Sequence, residues 1–152
     1  MRIAIVAVGK ARVSPERDLY RHYAARISWP LTLIEVEEKK RLPPPALKEA
    51  EGRLLLAAVP ARATVWALDG GGRTLDSEAL ASAIGRLRDG GTGDLALLIG
   101  GADGLSDEVL RRANFTLSLG AMTWPHMLVR GMLGEQLYRA QQILAGHPYH
   151  RA

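Results

Sequence analysis

The first apolar stretch is unbroken and mostly β-branched: Ile3-Ala4-Ile5-Val6-Ala7-Val8, stopping at Gly9. Without polar alternation, such a run predicts a strand buried on both faces, as in parallel sheets. The rhythm then changes to helical spacing. Ser14-Pro15-Glu16 offers an N-cap followed by proline at the first helical position, and Leu19, Tyr23 and Ile27 follow on one face. Leu31 to Val36 predicts a second strand. A charged loop with three prolines, Glu37 to Pro45, leads into a helix from Ala46 to about Ala58. The second half repeats the alternation. It predicts a strand over Thr64 to Leu68, a turn at Asp69-Gly70-Gly71-Gly72, a helix over Ser77 to Arg88 and a strand over Asp94 to Ile99. A helix over Ser106 to Ala113, a strand over Phe115 to Leu119 and a last helix from about Pro125 complete the series. Five short strands separated by helices predict an α/β fold, a mostly parallel sheet flanked by helices on both faces. No repeat or long linker divides the chain, so residues 1–152 are expected to form a single domain.

Size and composition narrow the classes. At 152 residues the chain is long enough to bury a substantial core without a staple. It has no cysteine, which excludes disulfides and thiolate metal sites, and a reducing cytoplasm fits. The apolar stretches are far shorter than the ~20 residues of a membrane span, and no signal-peptide pattern opens the chain. A soluble cytoplasmic protein is expected. The net charge of +4 permits an anionic partner such as RNA. The surplus lies in residues 1–60, and sixteen of the twenty cationic residues are Arg, suited to phosphate contacts and base stacking. Compositional bias explains that surplus equally well.

Three loops beyond strand ends could carry chemistry. Ile99-Gly100-Gly101-Ala102-Asp103-Gly104 lies between a strand and a helix, where open α/β sheets bind small molecules. The spacing is not G-x-G-x-x-G, and no G-K-[ST] follows, so a phosphate-cradling P-loop is excluded. Asp107 and Glu108 occupy the helix start where an anion would dock, which favours a neutral or cationic ligand. Gly120-Ala121-Met122-Thr123-Trp124-Pro125 is apolar with backbone amides available, a composition that suits a flat aromatic base or simple loop packing. Asp69 to Gly72 reads as a turn.

In the last helix Gly131 and Gly134 each cost about 1 kcal/mol relative to alanine. Close approach of another backbone, within the fold or across a dimer interface, would compensate. Glu135 and Arg139 stand in the favourable order for an ion pair. The tail His147-Pro148-Tyr149-His150-Arg151 concentrates polar aromatics, but with His126 it has no recognisable metal-ligand spacing, so no metal is expected.

Four ordered motifs carry a resemblance that runs end to end. They are Leu97-Leu98-Ile99-Gly100-Gly101-x-x-Gly104-Leu105-Ser106, Thr123-x-Pro125-His126-x-Leu128-Val129-Arg130, Glu135-Gln136-Leu137-Tyr138-Arg139-Ala140, and His147-Pro148-Tyr149-His150-Arg151. In these the chain resembles the RlmH-type 23S ribosomal RNA pseudouridine methyltransferases of the SPOUT superfamily. The resemblance implies the SPOUT α/β-knot fold with a C-terminal trefoil knot, and a homodimer with a composite active site. It also implies S-adenosyl-L-methionine as cofactor, held at Leu68, Gly101 and Gly120, Ala121, Met122, Thr123, Trp124 and Pro125. The implied reaction methylates N3 of one pseudouridine in a 23S rRNA stem-loop at the subunit interface of the assembled ribosome. His150 is the candidate catalytic base, and His126, Arg139 and Tyr149 are the other catalytic candidates, as stabilisers of the developing anion or as contacts that position the base. Gly120 stands where the family commonly has serine, and Trp124 where leucine is expected. Two rival readings share these motifs: the same chemistry on another RNA such as tRNA, and a non-catalytic RNA-binding ribosome assembly factor.

Overall fold

The computed structural model describes residues 1–151, with side chains described for residues 1–149. Five strands, β1 (Arg2–Val8), β2 (Leu31–Val36), β3 (Thr64–Thr74), β4 (Asp94–Ile99) and β5 (Phe115–Ser118), alternate with helices. These helices are α1 (Pro15–Ala24), α2 (Pro44–Ala58), α3 (Ser77–Asp89), α4 (Asp107–Arg112) and α5 (His126–Leu144), followed by a 3-10 turn, Pro148–Arg151. The sheet order is β2-β1-β4-β3-β5 and every pair is parallel. Among the described residues, no helix is long and apolar enough to cross a membrane.

Alternation along β1 explains the layering. Ile3, Ile5 and Ala7 enter a core that includes Tyr20, Ile84, Leu133 and Leu137, from α1, α3 and α5. Ala4, Val6 and Val8 enter a second core with Leu55 and Val109, from α2 and α4. The unbroken apolar run is the sequence trace of this double burial. Crossovers that step toward β2 use the α1 and α3 face, and those that step toward β5 use the α2 and α4 face. That pattern gives all four crossovers one hand, as strand twist requires.

Capping fixes the boundaries. Ser14 Oγ, Asp76 Oδ1 and Ser106 Oγ accept hydrogen bonds from the N–H groups of Arg17, Ala79 and Val109, which start α1, α3 and α4. Helix α2 begins at Pro44, two residues before the expected Ala46, because both prolines fit the first turn, where no N–H is needed.

One expectation is corrected. Asp69 to Gly72 does not end β3 as a turn but bulges within it: Leu68 and Arg73 both pair with Leu117 of β5. Gly72 allows this, because a Cβ there would stand 2.5 Å from the Thr116 carbonyl oxygen. The glycines of α5 are also explained within the chain. A Cβ on Gly131 would lie 2.7 Å from Leu19 Cδ2, and one on Gly134 3.5 Å from Tyr20 Cδ2, so side chains of α1, rather than another backbone, fill the space.

The bulge predicts unequal costs for neighbouring substitutions. Gly72→Ala is expected to lose about 1–3 kcal/mol by overpacking against a backbone that cannot yield. Gly70→Ala, with nothing within 4 Å, should stay within about 0.5 kcal/mol. Urea denaturation of both variants checks this.

Candidate active site

The three loops converge at the carboxyl edge of the sheet. After β4, Gly100 turns so tightly that a Cβ would stand 2.8 Å from the backbone of Gly104. Gly104 takes a φ of +81°, and its N–H donates to the Gly101 carbonyl at 3.0 Å. After β5, Ser118 Oγ accepts from the Gly120 N–H at 3.1 Å and donates to the Gly120 carbonyl at 3.2 Å. Gly120 itself has φ +110°, a conformation that strains any side chain, so glycine rather than serine suits this turn. Trp124 Nε1 donates to the Leu119 carbonyl at 3.3 Å and folds the loop back on its strand. In the β3 bulge, Asp69 Oδ2 accepts from the Gly71 N–H at 2.9 Å.

These loops enclose a cavity of about 270 Å³, just below the roughly 300–1,000 Å³ of small-ligand sites. Leu68, Gly101, Gly120, Ala121, Met122, Thr123 and Trp124 line it. Pro125 does not, and instead stands at the N-cap of α5. Asp69 and His126 are its ionisable lining residues; among the described residues no Lys or Arg lines it. Such a lining suits a flat apolar ring and a cation, and is ill suited to phosphate.

Helix α5 is anchored beside this cavity by Arg130, 2% exposed. Its guanidinium donates to Glu35 Oε2 at 2.6 Å, to the Gly9 carbonyl at 2.6 Å and to the Val8 carbonyl at 3.1 Å. Glu35 also accepts from the Ala11 N–H at 2.7 Å. Burial alone would raise the Glu35 carboxyl, but the Ala11 N–H and Arg130 together hold it below its ordinary range. His126, one turn earlier, is pushed below the ordinary imidazole value by burial and by the Arg130 charge. It is therefore a neutral imidazole near pH 7, able to accept a proton.

A second polar cluster forms at the other end of α5. Arg139 donates to Glu135 Oε1 from Nε at 2.9 Å and from Nη2 at 2.6 Å, completing the expected ion pair. The Tyr149 hydroxyl donates to the same oxygen at 3.2 Å, and its ring packs edge-on against Tyr138 at 4.8 Å. Burial, the Tyr23 hydroxyl and the Glu135 charge push the Tyr149 phenol up to about 12, so it remains a donor. His126 and Arg139 are thirteen residues apart on one helix, roughly 20 Å at 1.5 Å per residue. The four catalytic candidates therefore do not form one cluster in a single chain: His126 borders the cavity, Arg139 and Tyr149 meet at Glu135, and the His150 side chain lies outside the described residues. A groove that includes Tyr23 and Glu135 also reaches Leu117, Leu119 and Gly120, which border the cavity as well.

A family model described as "Predicted SPOUT methyltransferase" matches residues 1–150. The chain belongs to the SPOUT methyltransferase family. Similar proteins include the "Ribosomal RNA large subunit methyltransferase H" of Rhodospirillum centenum, 60% identical over 152 residues and covering all of both chains. The protein of the same name from Paramagnetospirillum magneticum is 56% identical over 151 residues, covering 99% of each chain. Among solved structures, a methylase family protein from Haemophilus influenzae aligns with TM-score 0.55 at 11% identity, over 95% of this chain and 66% of the other. A Legionella pneumophila methyltransferase solved with bound cofactor SAM aligns with TM-score 0.51 at 12% identity, over 92% of this chain and 66% of the other. At these identities the two structures establish a shared fold. With the all-parallel sheet and its flanking helices, membership places this chain among the SPOUT enzymes, as a methyltransferase of α/β-knot class.

Sequence reasoning passed over Arg130 with Glu35, Asp69 as a lining residue, and Glu51. A signal was present for two of them. Arg130 shares a helical face with Leu133, Gly134 and Leu137, and Glu51 shares one with Leu54, Leu55 and Ala58, so each is a charge placed on an apolar face.

Removing Arg130 takes the donor from two carbonyls and the charge partner from Glu35, so Arg130→Met is expected to cost about 3 kcal/mol. The Glu35 value is depressed on folding, so its stabilisation is present above the ordinary 4.5 and is lost as pH falls through the folded value. Chemical denaturation from pH 7 to pH 3 should give a steeper acid loss in the unaltered protein than in Arg130→Met.

Proposed function

We propose that this chain is an S-adenosyl-L-methionine-dependent methyltransferase of ribosomal RNA, acting on N3 of a pseudouridine in 23S rRNA of the assembled ribosome. The observation that carries the reading is the cavity formed by two strand-end loops and the β3 bulge, apolar and, among the described residues, without a lining cation. It fits an adenine ring together with a positive sulfonium, and the full-length identity to ribosomal RNA large subunit methyltransferases supplies the target.

When bound, the cofactor supplies an activated methyl group. The chain's part is then alignment, exclusion of water and handling of one proton. Leu68, Gly101 and Gly120 to Trp124 would hold and orient the cofactor, while Pro125 would set where α5 leaves its loop. N3 of the target must lose a proton before its lone pair can attack. Neutral His126 beside the cavity is the base that the geometry favours, with His150 as the alternative on the tail. Arg139 and Tyr149, both donors fixed by Glu135, would stabilise the anion that develops on the base ring.

The roughly 20 Å between His126 and Arg139 supports a homodimer in which the tail of one copy completes the cavity of the other. The reading also includes one folded domain over residues 1–152, in the cytoplasm, with the C-terminal segment drawn into a trefoil knot. Pairing of β5 with both halves of β3, followed by passage to α5 on the opposite face, supports that knot.

Purified protein, labelled cofactor and unmodified ribosomes, free rRNA or tRNA test the reading, with the methyl group located by mass spectrometry. Incorporation into assembled ribosomes alone is expected; labelling of tRNA instead, or of nothing, would overturn it. In single-turnover assays His126→Ala should slow transfer by about a hundredfold or more. Arg139→Ala and Tyr149→Phe should each slow it by about tenfold or more. The rate of the unaltered enzyme should fall on acidification with a midpoint below that of an ordinary imidazole, because burial and the Arg130 charge displace protonation of His126 to lower pH.

A further inference from the structure

A buried carboxylate lies directly behind the cavity wall. Glu51 of α2 is 9% exposed, its Oε1 has no hydrogen-bond partner, and it makes no ion pair among the described residues. Both its carboxylate oxygens stand 3.1 Å from where a Cβ on Gly101 would be, as does Val8 Cγ1. Gly101 itself lines the cavity, so one glycine separates the carboxylate from the ligand space. Burying an uncompensated carboxylate is costly, and an apolar side chain of similar volume would pack there more cheaply. Burial and the negative charge of Asp103 push the Glu51 carboxyl above its ordinary range, and no cation among the described residues offsets it. A positively charged ligand in the cavity would.

We propose that Glu51 is a positioning and specificity residue of the cofactor site. Its carboxylate behind Gly101 supplies the counter-charge by which the cavity prefers the sulfonium of S-adenosylmethionine to the neutral thioether of S-adenosylhomocysteine. The inference rests on the cofactor assigned above. It gives the enzyme a means of turnover: the sulfur is neutral once it has given up the methyl group, and when His126 has passed the N3 proton to solvent no positive charge remains beside Glu51 to hold the product.

Isothermal titration of both compounds into the full-length protein reads this without any catalytic assay. Glu51→Gln should bind S-adenosylmethionine about five- to tenfold more weakly, the effect of one charge at short range in a partly screened site. Its affinity for S-adenosylhomocysteine should stay within about twofold. Glu51→Met, a second neutral variant of similar volume, should behave alike should Glu51→Gln fail to melt cooperatively. Glu51→Asp should retain most of the preference. If the neutral variants shift both affinities equally, or neither, Glu51 is only structural and the proposal is overturned while the cofactor reading stands. If the unaltered protein binds neither compound, the cofactor reading fails and this assignment fails with it.

Discussion

Because all five strands run in the same direction, every segment that leaves a strand does so at one edge of the sheet, and the loops that form the cavity are gathered there. Gly9, Asp69, Gly100 and Leu119 each follow directly on a strand or on the regular part of one. Parallel pairing also obliges each connection to cross a face of the sheet, which covers both faces with helices and leaves the carboxyl edge as the place where backbone groups stay open to a ligand. The tightness of the turns then matters more than their side chains. Gly100 and Gly72 approach neighbouring backbone too closely for any Cβ, so the cavity is shaped by main chain.

That edge would be loose without a tie between its two halves. Arg130 provides one, since its guanidinium gathers the end of β1, the side chain of β2 and the first turns of α5 into a single hydrogen-bonded unit. Burial, and to a lesser degree the same charge, lower the affinity of the His126 imidazole for a proton. Carboxylates at Asp69 and Glu51 give the surroundings of the cavity the opposite polarity to the basic surplus of the chain as a whole.

Element order and class were legible because burial on both sides leaves an unmistakable apolar run in β1 and β4, and because Ser14, Asp76 and Ser106 mark helix starts chemically. The bulge of β3 was not, since three consecutive glycines describe a turn and an irregular strand equally well until the pairing of Leu117 is known. The cavity-lining loops were readable from the glycines and the strand ends. Glu51 and Arg130 were harder: a single charge on an apolar face signals only that something must answer it, and the partners of Arg130 lie 95 to 122 positions away in the chain. Spacing along α5 was available from the start, yet its meaning appeared only when Tyr149 was found folded back onto Glu135.

The division of α5 between a cavity end and a tail end has a genetic consequence. In a dimer whose sites each take one end from either copy, a chain damaged at its loops still carries a sound tail, and a chain damaged at its tail still carries sound loops. Each would be inert when paired with itself. Mixed together, the two would assemble pairs holding one intact site and one doubly broken site, so two null alleles in one cell would restore partial modification.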